Sequence, residues 1–147
     1  MEFTELDRQL TSVLNLEEGC VFVMRLKKSD QKFEFLYPYE LKGFRIPVLK
    51  HCIAGQAATH NTPFISNNPE GERYVADLHC KNMNGSDKST RRMIAYPISL
   101  GSQPCDVLLV IRNGHDRSDL RDFLGEDLMK IKSVVDSMIY LQLVKTA

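Results

Sequence analysis

The sequence carries no net charge and has no long apolar run. Lys and Arg total 19 and Asp and Glu also total 19 among its 147 residues. A neutral chain has no long-range field that attracts nucleic acid or anionic lipid, so we expect neither as a partner. No apolar stretch approaches the roughly 20 residues that a bilayer-spanning helix requires, so we predict no contact with a membrane.

The sequence also lacks a targeting signal and a cysteine pattern. The first ten residues include acidic side chains and no apolar core of a secretion signal, so we predict a cytoplasmic location. The four cysteines form no C-x-x-C pair, which favours reduced thiols over a disulfide framework. The pairs His51-Cys52 and His79-Cys80 place ligands side by side, a poor geometry for zinc, so no metal site is predicted. The cysteines are Cys20, Cys52, Cys80 and Cys105.

The N-terminal part predicts a helix and the start of a sheet. Apolar residues recur at helical spacing over 3–16, with Thr4 and Asp7 as a partial helix-start signal. Residues 20–26 and 32–37 are rich in β-branched and aromatic side chains and predict a hairpin. Residues 45–48 predict a strand at an edge of the sheet, because Pro47 has no amide hydrogen.

The remainder of the chain predicts a short helix, three strands, a polar loop and a closing helix. Small residues over 53–59 favour a helix packed close to the sheet, followed by a strand at Phe64 and Ile65. Residues 67–92 are polar and contain Pro69, Gly71 and Gly85, so we expect a functional loop. Two further segments, 93–100 and 105–112, predict a hairpin, and 119–144 a long helix.

The closing helix is apolar nearly all round in its last two turns. A helix laid on one sheet needs only one apolar face, so a second helix must cover the remainder. The N-terminal helix can cover part of it, and the same pair from a second chain can cover the rest as a bundle. The pattern therefore predicts a homodimer through the terminal helices.

Two segments resemble conserved motifs of GAF domains. Residues 53–65 (IAGQAATHNTPFI) and 90–98 (TRRMIAYPI) are similar to that family's motifs in residues, order and spacing. The resemblance implies a single α+β domain over 1–147, related to PAS domains. It implies a six-stranded antiparallel sheet with the N- and C-terminal helices on one face and a loop-covered cavity on the other. It also implies a regulatory or sensory role in signalling.

The resemblance extends to GAF domains that bind cyclic nucleotides, as in phosphodiesterases. Those relatives bind the ligand with a polar loop just before the 90–98 motif, where Asn84, Ser86 and Thr90 fall here. Hydroxyl and amide groups suit base edges, and a guanidinium suits a phosphate. The strand at 107–110 is wholly apolar, whereas those relatives carry an acidic residue there to contact the base. The identity of the ligand therefore stays open. The candidate ligand-binding residues are Tyr74, Asp77, Asn84, Ser86, Thr90 and Arg91.

Two other classes of function stay open. One is a ligand-free scaffold for protein–protein interaction. The other is a thiol enzyme, since some GAF-like proteins reduce free methionine sulfoxide, and Cys80 is the cysteine placed for that chemistry. The cysteine spacing of those enzymes is absent, so we predict no enzyme. Tetrapyrrole-binding relatives carry Cys-His where this chain has His79-Cys80, so no cofactor is predicted.

Overall fold

The computed structural model describes residues 1–48, 52–67, 92–98, 106–112 and 121–146. Within these residues the helices are α1 (Phe3–Leu14), α2 (Ile53–His60) and α3 (Gly125–Thr146), and a 3-10 turn spans Tyr39–Leu41. The strands are β1 (Val21–Lys27), β2 (Lys32–Tyr37), β3 (Arg45–Pro47), β4 (Phe64–Ser66), β5 (Arg92–Ile98) and β6 (Asp106–Arg112). They form one antiparallel sheet in the order β3-β2-β1-β6-β5-β4. The predicted α+β class and six-stranded sheet are confirmed.

Each face of the sheet buries its own apolar cluster, because successive side chains on a strand point to opposite faces. In β1, Val21 and Val23 pack with α1 and α3, whereas Phe22 and Met24 pack with α2. Strand β6 is buried along its whole length. The terminal helices therefore share one face, as predicted, and α2 lies on the other.

The edge strand is where the sequence predicted it. β3 lies at one end of the strand order, and Pro47 pairs with Lys32 of β2. A proline is tolerated there because the outer side of an edge strand has no neighbour that needs its amide hydrogen.

Helix α1 packs on the sheet through one apolar stripe, Leu6, Leu10 and Leu14, all buried. Its predicted start signal was wrong. The N-cap is Glu2, whose side chain accepts a hydrogen bond from the Thr4 N–H at 2.6 Å. Asp7 has another use, because it accepts hydrogen bonds from the Thr11 and Tyr37 hydroxyls.

The ends of α1 and α3 differ from the predicted bounds. α1 stops at Leu14 rather than 16, because Asn15 adopts a left-handed conformation with φ 54°. α3 begins at Gly125 rather than 119. The Leu124 N–H, which precedes its first turn, donates to Asp127 Oδ2 at 2.8 Å, the reach-back of a residue at the third helical position. Residues 121–124 are not helical, and we call them the base segment of α3.

Candidate functional site

The predicted ligand residues, Tyr74, Asp77, Asn84, Ser86, Thr90 and Arg91, lie outside the described part of the chain. So does Cys80, the residue considered for thiol chemistry. Their roles stay predictions. The structure does describe Asn67 and Arg92, which flank segment 68–91 of the sequence. It also describes the sheet face on which α2 packs.

The sheet face under α2 is an apolar surface. Phe22, Phe33 and Phe35 are fully buried there, and the Phe22 and Phe35 rings meet edge to face with centroids 6.3 Å apart. Ala54 and Ala57 of α2 are buried against it, since small side chains let a helix approach a sheet closely. The described side chains of this cluster are apolar residues and Cys20, so they supply hydrophobic area and no charge.

Asn67, the last described residue before 68–91, is hydrogen-bonded to the base segment of α3. Its Oδ1 accepts a hydrogen bond from the Phe123 N–H at 2.9 Å, and its Nδ2 donates to the Phe123 carbonyl at 3.1 Å. A side-chain amide is one of the few groups that can satisfy both backbone groups of one residue. The contact fixes Phe123 in direction as well as distance.

Arg92, the first described residue after 68–91, contacts Asp122, the residue before Phe123. Its Nε donates to Asp122 Oδ1 at 2.7 Å in a charge-assisted hydrogen bond. The Arg92 side chain is largely buried and Asp122 is mostly exposed. The two residues that flank segment 68–91 therefore hold two consecutive residues, Asp122 and Phe123.

Arg112 connects the base segment to α1. Its Nη2 donates to the Leu14 carbonyl at 2.7 Å and its Nη1 to the Arg121 carbonyl at 3.2 Å. Its guanidinium carbon lies 4.3 Å from the centre of the Phe123 ring, a cation–π contact. Burial lowers the pKa of Arg112 from its ordinary value. The hydrogen bond to Leu14 also satisfies a carbonyl that has no helical partner at the end of α1.

Every residue of the base segment is thus held by a side chain. Arg121 is held by Arg112, Asp122 by Arg92, and Phe123 by Asn67. Leu124 is held by Asp127. The sequence did not predict this cluster, because no local spacing relates position 67 or 92 to position 123. The available signal was an arginine at the start of β5 and another at the end of β6, Arg92 and Arg112, which are paired in the sheet.

The acid of β6 faces away from α2. Asp106 is buried on the side of the terminal helices, where Arg25 Nε and Nη2 donate to its two carboxylate oxygens at 2.9 and 3.1 Å. This bidentate pair joins directly opposed residues of β1 and β6. The pair raises the pKa of Arg25, mainly through that hydrogen bond.

The far end of α3 is apolar and exposed. Tyr140 is 66% exposed, Leu143 62%, and Leu141 and Val144 about half exposed. An open groove of about 430 Å³ lies beside them, between Met1, Glu5 and Gln9 of the N-terminal segment and Met138, Leu141 and Lys145 of α3. We call this exposed stretch of the described chain, residues 140–144, the apolar end of α3.

Metal ligands, cysteines and membrane-spanning helices were also searched for in the described part of the chain. Among residues 1–48, 52–67, 92–98, 106–112 and 121–146, no three His, Cys, Asp or Glu side chains come together as metal ligands do. Cys20 is buried and Cys52 is half-buried, and both carry thiols. None of the described helices has the length and apolar character to cross a bilayer.

Comparison with known proteins places the fold. No protein-family model and no curated protein matches the sequence. Among solved structures, the GAF-B domain of DevS from Mycobacterium smegmatis has a TM-score of 0.62 at 16% identity, covering 98% of this chain and 93% of that one. The GAF domain of a two-component sensor histidine kinase from Bacillus halodurans has a TM-score of 0.59 at 13% identity, covering 99% and 97%.

A third structure agrees with these two. The GAF domain/HD domain protein from Geobacter sulfurreducens has a TM-score of 0.60 at 11% identity, covering 90% of this chain and 84% of that one. The chain therefore has the GAF-domain fold, as the resemblance of its two motifs implied.

Proposed function

We propose that this chain is a regulatory GAF-type domain of a signalling protein rather than an enzyme, and that it senses a small polar ligand. The observation that carries the proposal is the fold, which extends over nearly the whole chain in the comparisons with a sensor histidine kinase and DevS. A methyl-accepting chemotaxis protein is also similar, with a TM-score of 0.61. A cytoplasmic location fits such a role.

The ligand would bind on the α2 face of the sheet. Its polar partners would be Asn84, Ser86 and Thr90, which the motif resemblance implies, together with the other candidates Tyr74, Asp77 and Arg91. The side chains described on that face are packed core and carry no charge, so the groups that orient the ligand would come from the motif segment rather than from the sheet. A cyclic nucleotide is the first candidate, with Arg91 facing its phosphate.

A thermal-shift screen tests the ligand. The purified chain is heated with cyclic AMP, cyclic GMP and free methionine sulfoxide, and a ligand at a hundredfold its Kd adds roughly 2.7 kcal/mol of stability. A shift with a cyclic nucleotide that Arg91→Gln reduces supports the proposal. A screen without any shift favours the ligand-free scaffold. In a separate activity assay, reduction of methionine sulfoxide that Cys80→Ser abolishes would favour the thiol enzyme.

A second candidate function is dimerisation through the terminal helices. The apolar end of α3 and the adjoining groove favour it, because an uncovered helix surface of this kind is typical of an interface between helices. Two copies related by a two-fold axis would bury the same surface on each chain. Sedimentation equilibrium should then show a mass that rises with concentration to twice that of the 16.8 kDa chain.

A further inference from the structure

We propose that Arg112 is a positioning residue that couples the end of helix α1 to the start of helix α3, so that the two terminal helices move as one unit. Its guanidinium donates to the Leu14 carbonyl, at the last residue of α1, and to the Arg121 carbonyl, in the base segment. The inference rests on the proposed function only for its regulatory meaning, because the contacts involve neither a ligand nor a second chain.

The ends of the two helices meet where a central strand ends. Arg112 is the last residue of β6, which lies between β1 and β5 in the sheet. α1 and α3 also pack against each other, and Gln9 Nε2 of α1 donates to Met138 Sδ of α3 at 3.7 Å. Since the end of α1 lies beside the start of α3 and Gln9 lies beside Met138, the pair is antiparallel. A side chain that holds this end therefore acts on both helices.

The guanidinium can link the two carbonyls because it is planar and rigid. Its Nη2 lies 2.7 Å from the Leu14 oxygen and its Nη1 lies 3.2 Å from the Arg121 oxygen, so both hydrogen bonds leave one flat group. The Phe123 ring, which is 1% exposed, lies with its centre 4.3 Å from the guanidinium carbon. Close-packed groups have low compressibility, so a shift of one carbonyl reorients the group that holds the other.

The charge of Arg112 makes both hydrogen bonds costly to break. Arg112 is 8% exposed, and burial lowers its pKa, an effect that the negative charge of Asp127 offsets only in part. Releasing either carbonyl would leave a buried cation short of an acceptor, which costs more than the loss of a neutral hydrogen bond. The Leu14 carbonyl also lies at the negative end of the α1 dipole, which favours a cation there. We therefore expect the two contacts to be kept together.

Hydrogen–deuterium exchange on the whole chain tests the coupling in both directions, because energetic coupling between two sites is reciprocal. Asp127→Ala removes the acceptor of the Leu124 N–H and loosens the start of α3. It should raise exchange several-fold at the amides of Asn15 and Leu16, which donate to carbonyls of α1. In the other direction, Asn15→Ala strains the left-handed residue that ends α1 and should raise exchange several-fold in residues 128–131.

Variants of Arg112 show whether this side chain carries the effect. Arg112→Met removes both donors, so adding Asp127→Ala should then cause no further rise in exchange at the end of α1. Arg112→Lys keeps the charge without the planar fork and should retain only part of the transmission. It also keeps the test valid if Arg112→Met does not fold. Lys132→Gln is the control, because it removes only an exposed ion pair with Asp136 within α3 and should leave the end of α1 unchanged.

Three results would overturn the inference. One is an effect of Asp127→Ala that stays within α3 in the wild-type background. The second is transmission to α1 that is as large with Arg112→Lys or Arg112→Met as with the wild type, because a merely structural residue does not change how one helix responds to the other. The third is an equal rise in the β1–β2 hairpin, which would indicate a general loss of stability.

The design also separates this inference from the proposed functions. No ligand is present, so a ligand screen without any shift would remove the ligand proposal and leave the coupling intact. The exchange is measured at two protein concentrations, because an effect of dimerisation changes with concentration and a contact within one chain does not. Failed transmission beside a positive ligand screen would remove only the coupling.

Discussion

The two ends of the pair formed by α1 and α3 are built from different interactions. At one end the base segment of α3 and the last turn of α1 are held by directional hydrogen bonds from Asn67, Arg92 and Arg112. At the other end, residues 140–144 of α3 expose apolar side chains beside an open groove. Hydrogen bonds fix a position, whereas apolar surface favours association with little directional preference.

This difference assigns the two ends separate tasks. The bonded end holds the backbone just before α3, and the apolar end would supply the surface of the proposed dimer. The proposed regulatory function would use the first property, because a ligand can act on a partner only through an element whose position depends on the ligand site. Variants at the two ends should therefore differ in the quantity they change.

The largest effect is expected at the bonded end, from Phe123→Ala. The ring is fully buried beneath Arg112, so its removal leaves a cavity and should lower the free energy of unfolding by about 3–5 kcal/mol. Urea denaturation measures this loss. Phe44→Ala is the matched control, because Phe44 is about half exposed and its loss should cost no more than about 0.5 kcal/mol. Equal losses from both variants would contradict the assigned role of Phe123.

A smaller effect on the free energy of unfolding is expected from Tyr37→Phe, which removes a contact between β2 and the middle of α1. The Tyr37 hydroxyl donates to Asp7, and its removal should cost about 1 kcal/mol at neutral pH. Tyr39→Phe is the control, because Tyr39 is half exposed. A Tyr39 variant as destabilised as the Tyr37 variant would argue against the bond between sheet and helix.

The stability difference between the wild type and Tyr37→Phe should also depend on pH. Burial, and then the hydrogen bond to Asp7, raise the pKa of Tyr37 above its ordinary value. A raised folded pKa gives stability that is fully present below the unfolded pKa of about 10 and is lost as the pH rises through the folded pKa. The stability advantage of the wild type over Tyr37→Phe should therefore shrink above about pH 10. Urea titrations at neutral and alkaline pH measure it, and a constant difference would contradict it.

The smallest effect on stability is expected at the apolar end, from Leu141→Lys. The side chain is about half exposed, so unfolding should change by no more than about 0.5 kcal/mol. Self-association should nevertheless weaken strongly, because a lysine charge would be buried in the helix bundle. Met129→Lys, an exposed position near the start of α3, is the control for sedimentation. Association that survives Leu141→Lys and is lost in Met129→Lys would place the interface elsewhere.

The sequence predicted most of the elements because their signals are local. The β-branched and aromatic residues of β1 and β2, the small residues of α2 and the proline of β3 each determine structure within a few positions. The ends of the helices were predicted less well. The non-helical residues before α3 are held by Asn67, Arg92 and Arg112, which are distant in sequence, and the start of α1 depends on Glu2 rather than on the predicted Thr4 and Asp7.

The candidate site divides in the same way. The sequence by itself determined the secondary structure and the two apolar faces, because hydrophobic period and turn chemistry act between near neighbours. It also marked the two motifs that indicated the GAF fold. Only the tertiary structure decided that Asn67 and Arg92 meet consecutive residues before α3, because such a contact follows from the pairing order of the strands and has no signature in local sequence.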